Sequence, residues 1–382
     1  MTFFPSFLTF LDFFGNLYLF HWVGRWFRPS SAVRWVLGVI LFALVISYPA
    51  GRILGLYDFN SFNQAVSFLG RSWLGFTFYW GFAAVLTDLL WVAMRFFFRR
   101  PIAPFHSRIM GGAFMAAAFL MGGYMIWEAR QLEVNSLEIP LRKLPAAMDG
   151  FSIVHLSDVH FGMIHGNGRL QEMVERVNAL GPDMVAITGD LVDEAVVHLE
   201  EMAEPLSKIQ SRWGVFAVMG NHEAYAGVER VESILKRAGI RVLRNEIAVL
   251  PGDLQILGID DPAVSRIKRE PPPDFEHLLK QLSPEAPSIL LSHRPRGFER
   301  ASENRVGLQL SGHTHGPQMR LMDLGVKYYY RYTRGLFQLK ESYLCVSRGV
   351  GTGGPPMRHG SRPEIVVLRL RAPSALSKGN PQ

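Results

Sequence analysis

The stretch Ile153–Gly162, IVHLSDVHFG, decides how this chain is read. An apolar, β-favouring run ends in Ser157-Asp158-Val159-His160 and then a glycine. Asp158 and His160 are two residues apart, and period 2 puts both side chains on the same side of an extended backbone. A strand leaving a core, with Asp158 opening a turn, accounts for one such pair. A metal site accounts for it equally, provided that other parts of the chain supply the missing ligands.

Four more strand ends supply them. PDMVAITGDLVD reads as a strand over Met184–Thr188 with Gly189-Asp190 at its C-terminal turn. WGVFAVMGNHE reads as a strand over Val215–Met219 followed by Gly220-Asn221-His222-Glu223. SILLSHRP is a strand over Ile289–Leu291 followed by His293, and GLQLSGHTHGPQ is a strand over Leu308–Leu310 followed by Gly312-His313-Thr314-His315. In open α/β sheets, ligand sites lie beyond the carboxyl ends of strands. The adjoining glycines permit tight turns and close backbone approach. Each cluster alone is an ordinary turn, but turn chemistry does not explain five strand ends that carry Asp, Asn and His. The spacing of His313 and His315 repeats that of Asp158 and His160. The remaining histidines (His21, His106, His155, His165, His198, His277, His359) have no such company. His155 is one residue off the ligand register and should face the other side of its strand.

The first third of the 382 residues has a different character. The chain is 48% hydrophobic, and its 27 Phe and 8 Trp crowd toward the front. Four apolar stretches, Phe3–Val23, Trp35–Leu54, Leu74–Met94 and Ile109–Trp127, each approach the ~20 residues a spanning helix needs. Asp12 and Asn16 interrupt the first, and Asp88 lies in the third. The net charge is +7, but the arginines of this region flank apolar runs, which suits a membrane and not a nucleic acid. Cys345 is the single cysteine, which excludes an intramolecular disulfide and a Cys-based zinc site.

The expected organisation is therefore a transmembrane region of about four helices over 1–128, a linker over 129–150, a catalytic domain over 151–372 and a disordered tail over 373–382. The linker reads partly as a strand, Leu132–Ile139. Residues from about 140 to 372 should fold without the membrane segments. Arg25, Arg28 and Arg34 lie between the first two spans, and Arg95, Arg99, Arg100 and Arg108 between the last two. Basic short loops stay cytoplasmic. This predicts a multi-pass protein of the bacterial inner membrane with its C-terminal domain extracytoplasmic. Should the first segment not span, only the side of the N-terminus changes.

D-x-H, G-D, G-N-H-E, a strand-end His and G-H-x-H together resemble the calcineurin-like metallophosphoesterase superfamily, over residues 151 to about 370. GHTHGPQ resembles the GHTHGGQ of a bacterial membrane- or wall-associated branch, as does YLCVSRGVGTGGPPMRHGSRPEIVVLRL. Pro317 departs from that branch's glycine and stiffens the loop after His315. The resemblance implies an α/β (α+β) two-sheet sandwich flanked by helices, here preceded by the all-α transmembrane region. It implies a binuclear phosphoesterase with two divalent metal ions (Mn, Fe or Zn) and a metal-bridging water that attacks phosphate mono- or diesters. Asp190 would bridge the metals. Asp158, His160 and His315 would complete one ligand set, and Asn221, His293 and His313 the other. His222 would face the phosphate as the catalytic histidine. Glu223 reads either as orienting one of the histidines or as a surface carboxylate at a helix start.

Arg294, Arg348 and Arg358 are candidates to bind substrate oxygens. Asp260 and Asp261 read as a turn before Pro262. KYYYRYTRGLFQL, from Lys327, reads as a β-hairpin beside the site, with the option of touching lipid headgroups. The expected partners are a phosphorylated small-molecule or lipid-linked substrate and a membrane, with no nucleic acid. Two alternatives stay open. One is a hydrolase of nucleotide-linked lipids or phospholipid headgroups. The other is a non-catalytic membrane receptor or transport component with a phosphatase-like domain, for which Asp12 and Asp88 within the apolar segments would speak.

Overall fold

A computed structural model of the chain describes residues 3–98, 104–193 and 197–373. Of the tail expected at 373–382, all but Pro373 lies outside these residues, as do Arg99 and Arg100. The chain divides into two compact units. One holds the helices through Glu128 together with Gly354–Met357; the other begins at Ala129, runs to Gly353 and resumes at Arg358.

The first unit is four helices: α1 (Phe3–Phe27), α2 (Ser31–Leu54), α3 (Ser61–Phe98) and α4 (Pro104–Glu128). Ser30 caps α2 by accepting a hydrogen bond from the Val33 N–H, and Ser31 opens the helix behind it. Leu19, Trp22, Trp26, Leu41, Trp73 and Trp80 form the interior. The polar interruptions seen in the sequence also point inward. The Asn16 amide donates to Asp12 Oδ1 (2.9 Å) and Thr77 Oγ1 (3.1 Å) and accepts from Trp73 Nε1 (3.0 Å). Asp88 accepts from Tyr18, Arg25 and Trp26. Outward-facing Trp35, Phe62, Phe96, Phe97 and Leu120 are 71–77% exposed, an apolar outer surface of the kind a helix shows to lipid. Among the described residues, Ser31–Leu54, Ser61–Phe97 and Arg108–Glu128 are long and apolar enough to cross a membrane. The four helices expected over 1–128 are present, and three of them meet this criterion. Helix α1, which carries Asp12 and Asn16, is not among the three.

The second unit is two six-stranded mixed sheets. Its strands are β1 (Glu133–Pro140), β2 (Ser152–Leu156), β3 (Met184–Ile187), β4 (Val215–Ala217), β5 (Arg241–Val242), β6 (Glu246–Leu250), β7 (Leu254–Ile259), β8 (Ser288–Ser292), β9 (Leu308–Ser311), β10 (Gly335–Leu339), β11 (Ser342–Val346) and β12 (Glu364–Arg371). The first sheet runs β1-β12-β2-β3-β4-β5 and the second β10-β11-β9-β8-β7-β6. Alternate side chains of each sheet meet in one core: Ile153, Ala186 and Phe216 from the first, Ile256, Leu291 and Leu310 from the second. Each such buried isoleucine, leucine or phenylalanine side chain contributes about 1.5–3 kcal/mol relative to exposure.

All five strands that end in candidate ligands lie in parallel ladders. Strands β2, β3 and β4 are neighbours in the first sheet, and β8 and β9 are neighbours in the second. Parallel pairing puts the carboxyl ends of neighbouring strands at the same edge of their sheet, which is why clusters far apart in sequence can meet. His155, as its register requires, turns away from the ligands; its Nε2 lies 2.8 Å from Thr188 Oγ1.

The linker expected at 129–150 belongs to this unit. Strand β1 pairs with β12 over eight residues, and Ile139, Leu141, Leu144 and Met148 enter the core. The boundary near 140 is therefore corrected to Ala129. The segment from Lys327 is also corrected in part. Lys327–Tyr329 ends a helix, Asp323–Tyr329, and the hairpin β10–β11 begins only at Gly335.

Candidate metal centre

Five of the seven residues proposed as ligands have unusual backbones. Asp158, His160, Asp190, His313 and His315 have φ of 52°, 52°, 51°, 69° and 54°. Left-handed conformation is costly for residues with a Cβ and persists where surrounding structure imposes it. Here each strand end turns sharply so that a ligand side chain points across the edge. Two glycines make room: a Cβ at Gly220 would collide with the Asp190 carboxylate, and one at Gly312 with Ser157 and Asp158.

The side chains gather in groups whose donor atoms are close enough to share a cation. Asp158, His160 and His315 form one group, and Asp190, His293 and His313 a second. In the first, His315 Nε2 lies 3.5 Å from Asp158 Oδ1 and 3.1 Å from His160 Nε2. In the second, His293 Nε2 lies 3.1 Å from Asp190 Oδ2 and 3.1 Å from His313 Nδ1. His293 Nδ1 donates to the Thr188 carbonyl at 2.8 Å, which leaves its Nε2 as the nitrogen turned toward Asp190. Asn221 is buried at the first position of the helix Asn221–Ala226, with its Oδ1 3.5 Å from Arg294 Nη2.

A divalent cation fits this donor set. Imidazole nitrogens face one another at 3.1 Å across neighbouring carboxylates, and the buried His160 Nδ1 and His315 Nδ1 have no hydrogen-bond partner. Nitrogen and oxygen donors without a thiolate suit Mn, Fe or Zn.

The electrostatics match. Burial opposes a charge on His293, but the Asp190 and Asp158 carboxylates outweigh it and hold the imidazole up to about 10. Burial likewise opposes the Asp190 carboxylate, yet His293 and His222 bring it well below the usual range. Asp158 is raised, by burial first and then by Asp190. His313 and His315 are pushed well down by burial and by the neighbouring histidines. Carboxylate charge gathers at this edge, and a bound cation would take the place of the proton on His293.

His222 lies beside both groups. Its backbone N–H donates to Asp190 Oδ1 (2.9 Å), its Nε2 is 4.0 Å from Asp190 Oδ2, and its ring meets that of His160 at 4.7 Å. Nδ1 donates to the Asp193 carbonyl. Burial lowers its pKa, and Asp190 pulls the other way.

One residue escaped the sequence reading and another has a different role from the one expected. Asp193 makes a third potential metal-holding group with His160 and His222, and its Oδ1 is 3.6 Å from His160 Nδ1. Its place three residues after Asp190 in GDLVD was the available signal. Glu223 does not orient a histidine. Its carboxylate accepts the backbone N–H groups of Asp190, Leu191, Val192 and Gly220.

The three arginines divide. Arg294 flanks the centre, paired with Asp261 and donating to the Tyr330 hydroxyl at 3.2 Å. Arg348 is not brought to it; its guanidinium bonds Glu364 (2.7 Å) and Glu133 (3.2 Å). Arg358 is fully buried, and its donors go to the carbonyls of His315, Arg348, Gly349, Gly351 and Ser361. Burial lowers its pKa to about 9. The expectation that Arg348 and Arg358 touch substrate is corrected: both shape the loops around His315 and β12. Asp260 and Asp261 do more than turn the chain, since they pair with Arg244 and Arg294.

A two-sheet sandwich with Asp, Asn and His gathered at the strand ends of one edge defines a class of metal-site α/β proteins. The family model for calcineurin-like phosphoesterases matches residues 151–317. An uncharacterized metallophosphoesterase of Aquifex aeolicus is 37% identical over 70% of this chain and 100% of its own length. The uncharacterized metallophosphoesterase YkuE of Bacillus subtilis is 32% identical over 69% of this chain and 95% of its own. A transmembrane protein with metallophosphoesterase domain from Danio rerio is 37% identical over 64% of this chain, which spans 58% of that relative's length. The chain belongs to the calcineurin-like phosphoesterase family.

Proposed function

We propose that the protein is a membrane-anchored phosphoesterase that hydrolyses phosphate mono- or diesters at a centre for two divalent ions. The observation that carries this reading is the position of Asp190. Its carboxylate belongs to one donor group, Asp190, His293 and His313, and its charge reaches Asp158 of the other, helping burial to raise that carboxyl. A carboxylate with two oxygens is suited to join two cations. Asp158, His160 and His315 would hold one ion, and Asn221, His293 and His313 the other.

Such ions supply a clamp for the anionic phosphate oxygens and a nucleophile from water near neutral pH. The protein's own groups do the rest. With Nδ1–H committed to the Asp193 carbonyl, His222 has Nε2 as the atom that holds or passes a proton at the ester oxygen. Arg294, fixed by Asp261, offers a guanidinium at the rim for a substrate oxygen. Arg358 and Glu223 keep the loops in their strained conformations.

Three helices able to span are more than an anchor needs, which favours the second reading, a hydrolase of nucleotide-linked lipids or phospholipid headgroups. The arginines before α4 support an orientation with the catalytic unit outside the cytoplasm of a bacterial inner membrane. Manganese-dependent hydrolysis of an aryl phosphodiester by the purified protein is expected; inactivity with every divalent metal at full metal loading rejects the enzyme reading. Protease added to spheroplasts should remove the catalytic unit. Its protection until lysis would reverse the orientation.

A further inference from the structure

The catalytic unit carries an apolar surface that the metal centre does not use. Leu321, Met322, Tyr328, Tyr329 and Leu336 are large, exposed and all lie between positions 321 and 336. Tyr328 and Tyr329 are 85% and 71% exposed. The turn Arg320–Met322 runs directly into the helix Asp323–Tyr329. At helical spacing, positions 321, 322, 325, 328 and 329 share one face. This is a stripe turned to solvent, and a water-soluble surface seldom keeps one without a partner.

The charges around the stripe select the partner. Arg320, Lys327, Arg331 and Arg334 lie on or beside it, and Arg296 stacks on the following Tyr330 ring at 4.9 Å. Against these five cations stand Asp323, paired with Lys327, and Glu299, paired with Arg331. Arg334 spends its guanidinium on the neutral carbonyls of Gly316 and Gly360 and keeps its charge. Tyrosines with an apolar ring and a polar tip, rimmed by excess arginine, match the interfacial zone of an anionic bilayer.

The stripe is also continuous with the centre. Tyr330 meets the His313 ring edge-on at 5.3 Å, and its hydroxyl accepts from Arg294. We infer that residues 320–336 form an interfacial surface that seats on the headgroups of anionic phospholipid, beside the metal centre. The phosphoester substrate is then one presented at a membrane surface. This second statement rests on the phosphoesterase reading above; the first does not.

The test uses the full chain in vesicles of phosphatidylcholine, with or without phosphatidylglycerol, whose acyl chains carry a bromine quencher. Cys345, the only cysteine, is 1% exposed, so a new surface thiol labels selectively. An environment-sensitive fluorophore is placed at Tyr328→Cys, at Tyr329→Cys and, as control, at Val249→Cys, which is 62% exposed on β6 at the other edge of that sheet from β10. Blue-shifted emission with several-fold stronger quenching at 328 and 329 than at 249, greater with phosphatidylglycerol, is expected. Quenching at 328 and 329 no stronger than at 249 overturns the surface. Hydrolysis is read in parallel. Replacing both tyrosines by serine should raise KM for a vesicle-borne phosphoester about tenfold, as loss of two interfacial aromatics from a binding equilibrium implies, and leave a soluble aryl phosphodiester unaffected. Unchanged KM on vesicles overturns the substrate assignment. Wild-type inactivity on the soluble ester rejects the phosphoesterase reading alone, because the fluorescence needs no turnover.

Discussion

Glu223→Gln tests how the ligand loops are held. Glu223 is 1% exposed, and its carboxylate ties two strand ends together. Oε1 accepts from Leu191 N (2.7 Å) and Val192 N (3.1 Å); Oε2 accepts from Asp190 N (2.8 Å) and Gly220 N (2.7 Å). A glutamine amide has one oxygen. In either flip it satisfies two of the four N–H groups and turns an NH2 toward the other two. Each buried donor left without an acceptor costs about 1–3 kcal/mol, so the variant should lose about 2–6 kcal/mol. In a unit of this size that lowers the melting temperature by on the order of 10 °C. The same change frees the Asp190 backbone, whose φ of 51° is held in part by that N–H bond, so metal content should fall as well. Calorimetry of the metal-free protein reads the first effect, and elemental analysis after metal loading the second. Glu223→Ala separates simple loss of acceptors from donor–donor repulsion, which only glutamine introduces. A wild-type transition together with wild-type metal content would refute the reasoning, since the four bonds would then carry no net energy.

Asp190→Asn should reduce both metal content and turnover, whereas His222→Ala should keep its metals and lose about 10²–10⁴ in rate, the usual contribution of a positioned acid or base. Metal analysis of the two variants side by side checks the distinction, and a metal-depleted His222→Ala would make that residue a ligand. Burial lowers the His155 pKa from 6.5 to about 3, so unfolding takes up a proton between those values. Stability is full above pH 6.5 and falls as pH drops toward about 3, by ~1.4 kcal/mol per pH unit from this residue. His155→Gln should flatten the slope of denaturation midpoint against pH; an unaltered slope would mean that the folded state accepts the proton. A chain beginning at Ala129 should be soluble and take up metal. One beginning at Leu141 lacks β1, leaves the edge of β12 unpaired and should aggregate on gel filtration.

The donor cluster was legible because its residues obey local rules. A strand that must end at a parallel-sheet edge shows its apolar run, its glycine and its ligand within ten residues, and period 2 tells His155 from Asp158 and His160. Helix length and hydropathy are equally local, which is why the segments α2, α3 and α4 were readable as spans. The same rules could not rank α1, whose Asp12 and Asn16 read only as interruptions; that they point inward is a fact about packing. The linker was legible in part: its strand was expected over Leu132–Ile139 and is β1, but its place in the sheet was not. Residues 133–140 alternate polar and apolar like any exposed strand, and only their partner β12, far along the chain, makes them part of the sheet.

Charged groups were the least legible. Arg294, Arg348 and Arg358 look alike beside motif blocks, yet one flanks the centre, one joins two glutamates and one is buried among carbonyls. An arginine's role is set by the acceptors that converge on it, and these come from loops distant in sequence. Glu223 shows the same limit, because its acceptor oxygens serve N–H groups on a loop more than thirty residues away. The sequence by itself determined the donor atoms, the strand ends that carry them and the apolar segments, since each depends on neighbours along the chain. The tertiary structure decided how those donors are grouped, which carboxylates and guanidinia hold the loops, and which polar side chains face inward, because burial and pairing depend on neighbours in space.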